Sequence, residues 1–205
     1  MVIDELVWHR GVVFASGIVY WAGVFIQARR VRRHIGRSPN LQPRSAKEKL
    51  LWAGWLLVIL VWIVQPFLAG SGRVFSLWRL IPSILTPLGL GFGILLVLAG
   101  YVATLWCYAI MGDTWRIGID QNEKNPLVTR GPYRLVRHPI YLFQIVMLAG
   151  VALLLPTCLS LIVLIFHVVC VLIKAADEES YLITVHGKTY RDYLSRTGRL
   201  LPRVI

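Results

Sequence analysis

The sequence predicts an all-α membrane protein, a bundle of about five transmembrane helices with a polar site at its cytoplasmic end, and three observations predict it. Hydrophobic residues make up 57% and charged residues 16% of the 205 positions, too apolar a balance for an ordinary soluble domain of this size. The apolar residues gather into five runs, at 11–28, 50–69, 83–111, 140–155 and 157–173. The basic residues alternate with them: Lys and Arg number 8 in residues 29–49, 5 in 112–138 and 6 in 174–205, so 19 of the 22 fall in alternate connections and in the tail. Arg10, Arg73 and Arg79 fall in the opposite set. This positive-inside bias puts the amino terminus outside and the carboxyl terminus, with both long polar segments, in the cytoplasm. The same placement assigns the net charge of +12 to membrane topology and lipid headgroups, and argues against nucleic acid as the partner.

The first run is expected to stay as an anchor, because Asp4 and Glu5 stand where a basic signal leader would be and the arginines follow the apolar residues. The 29–49 connection, with Arg29, Arg30, Arg32, Arg33, His34 and Arg37, reads as a topology determinant on anionic headgroups. The second run meets the length rule, and Pro66 should loosen its last turn. In the third, Gly89, Gly91 and Gly93 lack a third glycine at Ile94 and a preceding strand, so no dinucleotide loop is supported. Gly89 and Gly93 suit close packing between helices through small residues four apart. The fourth and fifth runs reach only about 25 Å at ~1.5 Å per residue, less than the ~30 Å hydrocarbon core, and are expected to form a tight hairpin turning at Pro156. His167, inside the fifth, is either a functional group at membrane depth or a neutral imidazole hydrogen-bonded within the bundle. Cys107, Cys158 and Cys170 are odd in number and embedded in apolar runs, which supports neither a disulfide framework nor a zinc site. The chain is expected to be a single domain, with three helices over 1–111 and a catalytic part over 112–205 that holds the 139–173 hairpin and a cytoplasmic carboxyl-terminal helix.

The densest polar chemistry lies in residues 121–141, QNEKNPLVTRGPYRLVRHPIY. Pro139 fits the first turn of the fourth helix, which leaves His138 at its entrance and the Ile140 and Tyr141 N–H groups free to hold an anion. Arg137 brings a fork of donors for a carboxylate, and Tyr133 and Tyr141 bring flat faces and hydroxyls suited to a purine or ribose. A second patch, Lys174, Asp177, Glu178 and Glu179, follows the fifth run. On a continued helix Lys174 and Glu178 share one face, and the acids there could pair with a ligand ammonium or accept from ribose hydroxyls.

QNEK at 121–124, LVTRGPY at 127–133, RHPIY at 137–141, the acids at 178–179, HGKTYRDY at 186–193 and RLLP at 199–202 together resemble the isoprenylcysteine carboxyl methyltransferase family. The similarity covers roughly the last 90 residues, and the first helices carry no matching motif. The resemblance implies a multi-spanning membrane enzyme that uses S-adenosylmethionine to methylate the carboxylate of a prenylated cysteine. It implies that Gln121, Asn125, Pro126, Leu127, Val128, Tyr133, His138, Pro139, Ile140 and Tyr141 line the cofactor pocket, with Glu178 and Glu179 beside it. Arg137 and Lys174 would then lie towards the acceptor; the family's eukaryotic members have arginine at the latter position. No metal is implied. The acceptor would be a lipophilic or prenylated molecule that enters from the membrane, while the cofactor enters from the cytoplasm. A phospholipid amine or a small thiol is the alternative acceptor. A small transporter or structural protein is the reading from a different class, and it leaves the 121–141 cluster without a task.

Overall fold

The computed structural model describes residues 2–39, 43, 45–69, 76–81, 84–117 and 125–203. Six helices account for most of them: α1 (Val2–Ile35), α2 (Ala46–Leu68), α3 (Pro87–Met111), α4 (Pro139–Leu154), α5 (Cys158–His186) and α6 (Lys188–Arg196). Among the described residues the only β pairing is two isolated bridges, so the expected all-α fold is the fold observed. Four helices are long and apolar enough to cross a membrane, and Pro139–Leu154 is a shorter apolar helix.

Local sequence sets the helix limits. Ser45 and Glu48 form a reciprocal capping box on α2, and Thr86 and Thr157 accept from Gly89 N and Ser160 N to start α3 and α5. α1 does not end at the arginines, as the apolar run suggested; arginine is a good helix former, and the helix continues to Ile35 before Gly36 adopts φ 73°. α5 likewise outruns its apolar stretch. Nothing between Lys174 and Glu179 breaks a helix, and termination waits for Gly187 at φ 53°. At 29 residues α5 is about 43 Å long, so the expected hairpin has one short arm, the 16-residue α4, and one arm of membrane length. The hairpin turn lies where Pro156 predicted it, and Ile81 N donates to the Pro156 carbonyl (2.8 Å).

Packing is closest between α3 and α4. A Cβ on Gly93 would lie 2.7 Å from Leu154 Cγ, one on Gly100 would lie 2.6 Å from Met147 Cγ, and one on Gly150 would lie 2.7 Å from the Gly93 carbonyl. These three glycines bring the two backbones together. Gly93 therefore packs as expected, whereas Gly89 faces the Ile84 carbonyl of its own entry turn. Polar ties hold both ends of the bundle. His9 Nδ1 meets the Leu154 carbonyl (2.7 Å) and Arg10 pairs with the Ala69 carbonyl at one end. At the other, His34 pairs with Asp113 (2.8 Å), Lys47 with Asp177 (2.6 Å), and Ile117 N donates to the Pro39 carbonyl (3.0 Å). The described parts of the three basic segments thus share one end of the bundle, and the polar site sits there.

Candidate active site

The entrance of α4 is built by three strands of contact. Gly131 at φ 60° opens a short 3-10 turn through Arg134, which buries Pro132 and Tyr133 and delivers the chain to Arg137. The segment after α6 then lies alongside: Arg137 N donates to the Gly198 carbonyl (2.9 Å) and His138 N to the Arg199 carbonyl (3.1 Å). Tyr193 of α6 donates to the Tyr133 carbonyl (2.5 Å). Pro139, fully buried, occupies the first helical position, and His138 precedes it with a side chain that makes no capping bond. The imidazole is therefore free to turn towards α5.

There the two polar patches meet. His138 Nδ1 lies 3.4 Å from Glu178 Oε2, and its ring stacks on Tyr141 at 5.6 Å and 12°. The Tyr141 hydroxyl donates to Glu178 Oε1 (2.7 Å), and Lys174 Nζ sits 4.0 Å from the same oxygen. His138 Nε2 is 3.3 Å from Glu179 Oε1 but off the line of a hydrogen bond, so that contact is an ion pair alone. Burial pulls the imidazole down, but bonding to Glu178 and the charges of Glu178 and Glu179 outweigh it and hold the ring above its ordinary pKa. Burial also pushes the Tyr133 phenol well up. This end of the site thus brings together phenols, a carboxylate and an imidazole that holds its proton more tightly than a free one.

Behind it lies a charge cluster. Arg137 Nε donates to Glu179 Oε1 (2.8 Å), and Arg199 brackets the same carboxylate with Nε at 3.1 Å from each oxygen and Nη2 at 2.6 Å from Oε2. Arg137 Nη1 is taken by the carbonyls of Leu194 (3.5 Å) and Thr197. The guanidinium expected to offer an open fork to a substrate thus holds the folded-back tail and Glu179 instead.

A cavity of about 340 Å3 runs from this end into the bundle. Asn125, Pro126, Leu127, Val128, Tyr133, Arg137, His138, Ile140, Tyr141, Lys174 and Glu178 line it, so the structure gathers most of the residues singled out in the sequence. Pro139 and Glu179 lie outside its wall, one fixing the helix entrance and the other neutralising arginines. Gln121 falls outside the described residues. Among the described residues no group of three or more His, Cys, Asp or Glu could hold a metal ion.

Residues 88–189 match the model of the phospholipid methyltransferase family, a span that starts in α3 and takes in the described site segment, α4 and α5. The chain belongs to this family of membrane methyltransferases. The resemblance read from the 121–202 motifs is borne out at that level. The chain is also 30% identical over 166 residues to a methanethiol S-methyltransferase of Pseudomonas deceptionensis, an alignment covering 78% of this chain and 60% of the relative. It is 25% identical over 147 residues to the cobalt-zinc-cadmium resistance protein CzcN of Cupriavidus metallidurans, covering 72% of this chain and 62% of that one. It thus spans about three fifths of the length of each.

Several parts of this cavity carried no signal in the sequence motifs. Tyr20, Trp52 and Trp55 come from α1 and α2, outside the matched span, and Gln144 donates to the Tyr20 hydroxyl (2.6 Å) across 124 residues of sequence. Gln144 was visible in principle, as a polar residue inside an apolar run, a place where side chains need partners. Arg199 belongs to the RLLP string, but only the fold shows that it closes on Glu179.

Proposed function

We propose that this protein transfers a methyl group from S-adenosylmethionine to a small lipophilic thiol at the membrane, with its site at the cytoplasmic face. The observation that carries the donor half is the His138–Glu178–Tyr141 cluster at the mouth of a 340 Å3 cavity, a volume in the range of small-molecule sites. The residues fit the donor's chemistry. Glu178 can accept from an ammonium or ribose hydroxyls, Tyr133 and Tyr141 offer aromatic faces to an adenine or a sulfonium, and Lys174 can meet a carboxylate. The bound donor would supply an electrophilic methyl on a positively charged sulfur; the acceptor sulfur would take that methyl as the donor's S–CH3 bond breaks and S-adenosylhomocysteine leaves, and the thiol proton would pass to a base, for which His138 is the candidate. The protein would supply orientation and exclude water, with the carboxylate and phenols preorganised beside the charge.

Two observations favour a thiol over a prenylcysteine carboxylate as acceptor. Arg137 has Nε committed to Glu179 and Nη1 to the Leu194 and Thr197 carbonyls, which leaves Nη2 alone and no open two-nitrogen fork for a substrate carboxylate. A relative at 30% identity carries a thiol methyltransferase name. The shared end of the basic segments supports the cytoplasmic placement of the site.

Calorimetry of S-adenosylhomocysteine binding to detergent-purified protein tests the donor half: wild type should release heat on binding and Glu178→Ala should not. Equal binding by both would remove the site from this reading. Transfer of labelled methyl to 1-propanethiol, farnesylcysteine and phosphatidylethanolamine tests the acceptor half. Turnover of farnesylcysteine alone would restore the carboxyl reading, and turnover of the lipid alone would replace both.

A further inference from the structure

The deep end of the cavity holds a side chain that the site described above does not use. His167 is 3% exposed and lines the cavity, and among the described residues neither of its ring nitrogens has a hydrogen-bond partner. Leaving a buried polar group unpaired is costly, so an imidazole without a partner at either nitrogen marks a place where one is brought in. The expectation of a ring hydrogen-bonded within the bundle is therefore not met.

Helix periodicity fixes its position. His167, Val171, Lys174 and Glu178 are spaced four, three and four residues apart and so form one face of α5, which lines the cavity along its length. At ~1.5 Å per residue, His167 lies about 16 Å deeper than Glu178. The charged groups of the cavity wall are Glu48, Arg116, Arg137, Lys174 and Glu178, and on α5 the first of them, Lys174, comes about two helical turns after His167. The wall beside His167 on α5 is Cys170 and Val171, and the same cavity is lined by Trp55 and by Tyr20 and Gln144, which are bonded to each other.

We propose that His167 is the polar anchor of an acceptor chamber, accepting a hydrogen bond from the S–H of a small alkyl thiol whose hydrocarbon part lies against the tryptophan and valine. A largely apolar stretch of wall with one weakly basic group selects for a ligand that is apolar, uncharged and carries one donor. A carboxylate or ammonium would lose its hydration there without a counter-charge. A thiol gives up little hydration, and its S–H can donate to the ring nitrogen that carries no proton. This assignment rests on the methyl-transfer reading above and adds to it where the acceptor is held before transfer, its sulfur having to leave the anchor and move towards the mouth to meet the methyl.

Binding, measured without turnover, tests the assignment. Detergent-purified protein is titrated with 1-propanethiol and, separately, with ethyl methyl sulfide, which has similar bulk and no S–H; tryptophan fluorescence reports binding, since Trp52 and Trp55 line the cavity. S-adenosylhomocysteine affinity is measured in parallel by calorimetry. His167→Phe should weaken the thiol about tenfold, the worth of one hydrogen bond, and His167→Gln should restore part of the loss. Ethyl methyl sulfide and S-adenosylhomocysteine should bind wild type and His167→Phe equally. Unchanged thiol affinity in His167→Phe, or an equal loss for thiol and sulfide, overturns the anchor. Wild type that binds S-adenosylhomocysteine but no thiol overturns this inference alone, whereas wild type that fails to bind S-adenosylhomocysteine overturns the donor reading and the inference with it.

Discussion

Replacing Glu179 by glutamine removes the negative charge that two arginines share, and the structure sets the size of the effect. The Arg137 and Glu179 side chains are 10% and 8% exposed, whereas Arg199 is 40% exposed. Removing one partner of a buried ion pair costs about 3–5 kcal/mol, because the other charge is left uncompensated. Arg199 regains water when its partner goes, and glutamine keeps an acceptor oxygen for Arg137 Nε, so the lower end, about 3 kcal/mol, applies here. A chain of this size loses about 2–4 °C per kcal/mol, which gives a fall in melting temperature of about 6–12 °C. Thermal unfolding in detergent micelles, followed by helical circular dichroism, measures it. Arg199→Gln removes the exposed partner and should cost no more than about 1 kcal/mol. If Arg199→Gln lowers the melting temperature as far as Glu179→Gln, or if Glu179→Gln shifts it by less than about 2 °C, the cluster is solvated and the reasoning fails.

Other outcomes follow from the same contacts. Because the folded pKa of His138 lies above the ~6.5 of an unfolded chain, the stabilisation from its pairing with Glu178 and Glu179 is complete below about pH 6.5 and is lost as pH rises through the raised value. Melting temperature should therefore decline on the alkaline side in wild type and less so in His138→Asn; parallel pH profiles would remove His138 from the linkage. Gly150→Ala puts a methyl 2.7 Å from the Gly93 carbonyl and 2.9 Å from Val97 Cγ2, and such overpacking costs about 1–3 kcal/mol. Gly91→Ala meets nothing within 4 Å and should gain up to about 1 kcal/mol of helix propensity, so equal melting shifts in the two variants would contradict the α3–α4 contact.

What the sequence made legible was what depends on neighbours along the chain. Apolar runs located the five apolar helices, four of membrane length and one shorter, and Pro156 located the hairpin turn, because both are local signals. Helix ends were harder. Hydropathy stops at Ala28 and Ile173, but Arg29–Arg33 and Lys174–Glu179 still favour helix, and only Gly36 and Gly187 bring backbone that can leave it. The roles of individual site residues depended on distance in sequence. His138 and Glu178 were singled out separately and lie 3.4 Å apart. The partners of Arg137 are 42 to 60 residues away, so the loss of its open fork could not be read from RHP. The tyrosine that Gln144 binds is 124 residues away, in a helix without motifs.

The backbone pairing of Arg137 and His138 with Gly198 and Arg199 sets an order on biogenesis. Synthesis runs from the amino terminus, so α1 to α4 are made before residues 197–199 exist. The ring of His138 can meet Glu178 only once α5 has been inserted, and the peptide groups on either side of it find their mates only after α6 has been translated and has turned back. The helices can thus assemble while the ribosome is still working, but the mouth of the cavity is finished by the stretch of chain made some sixty residues later.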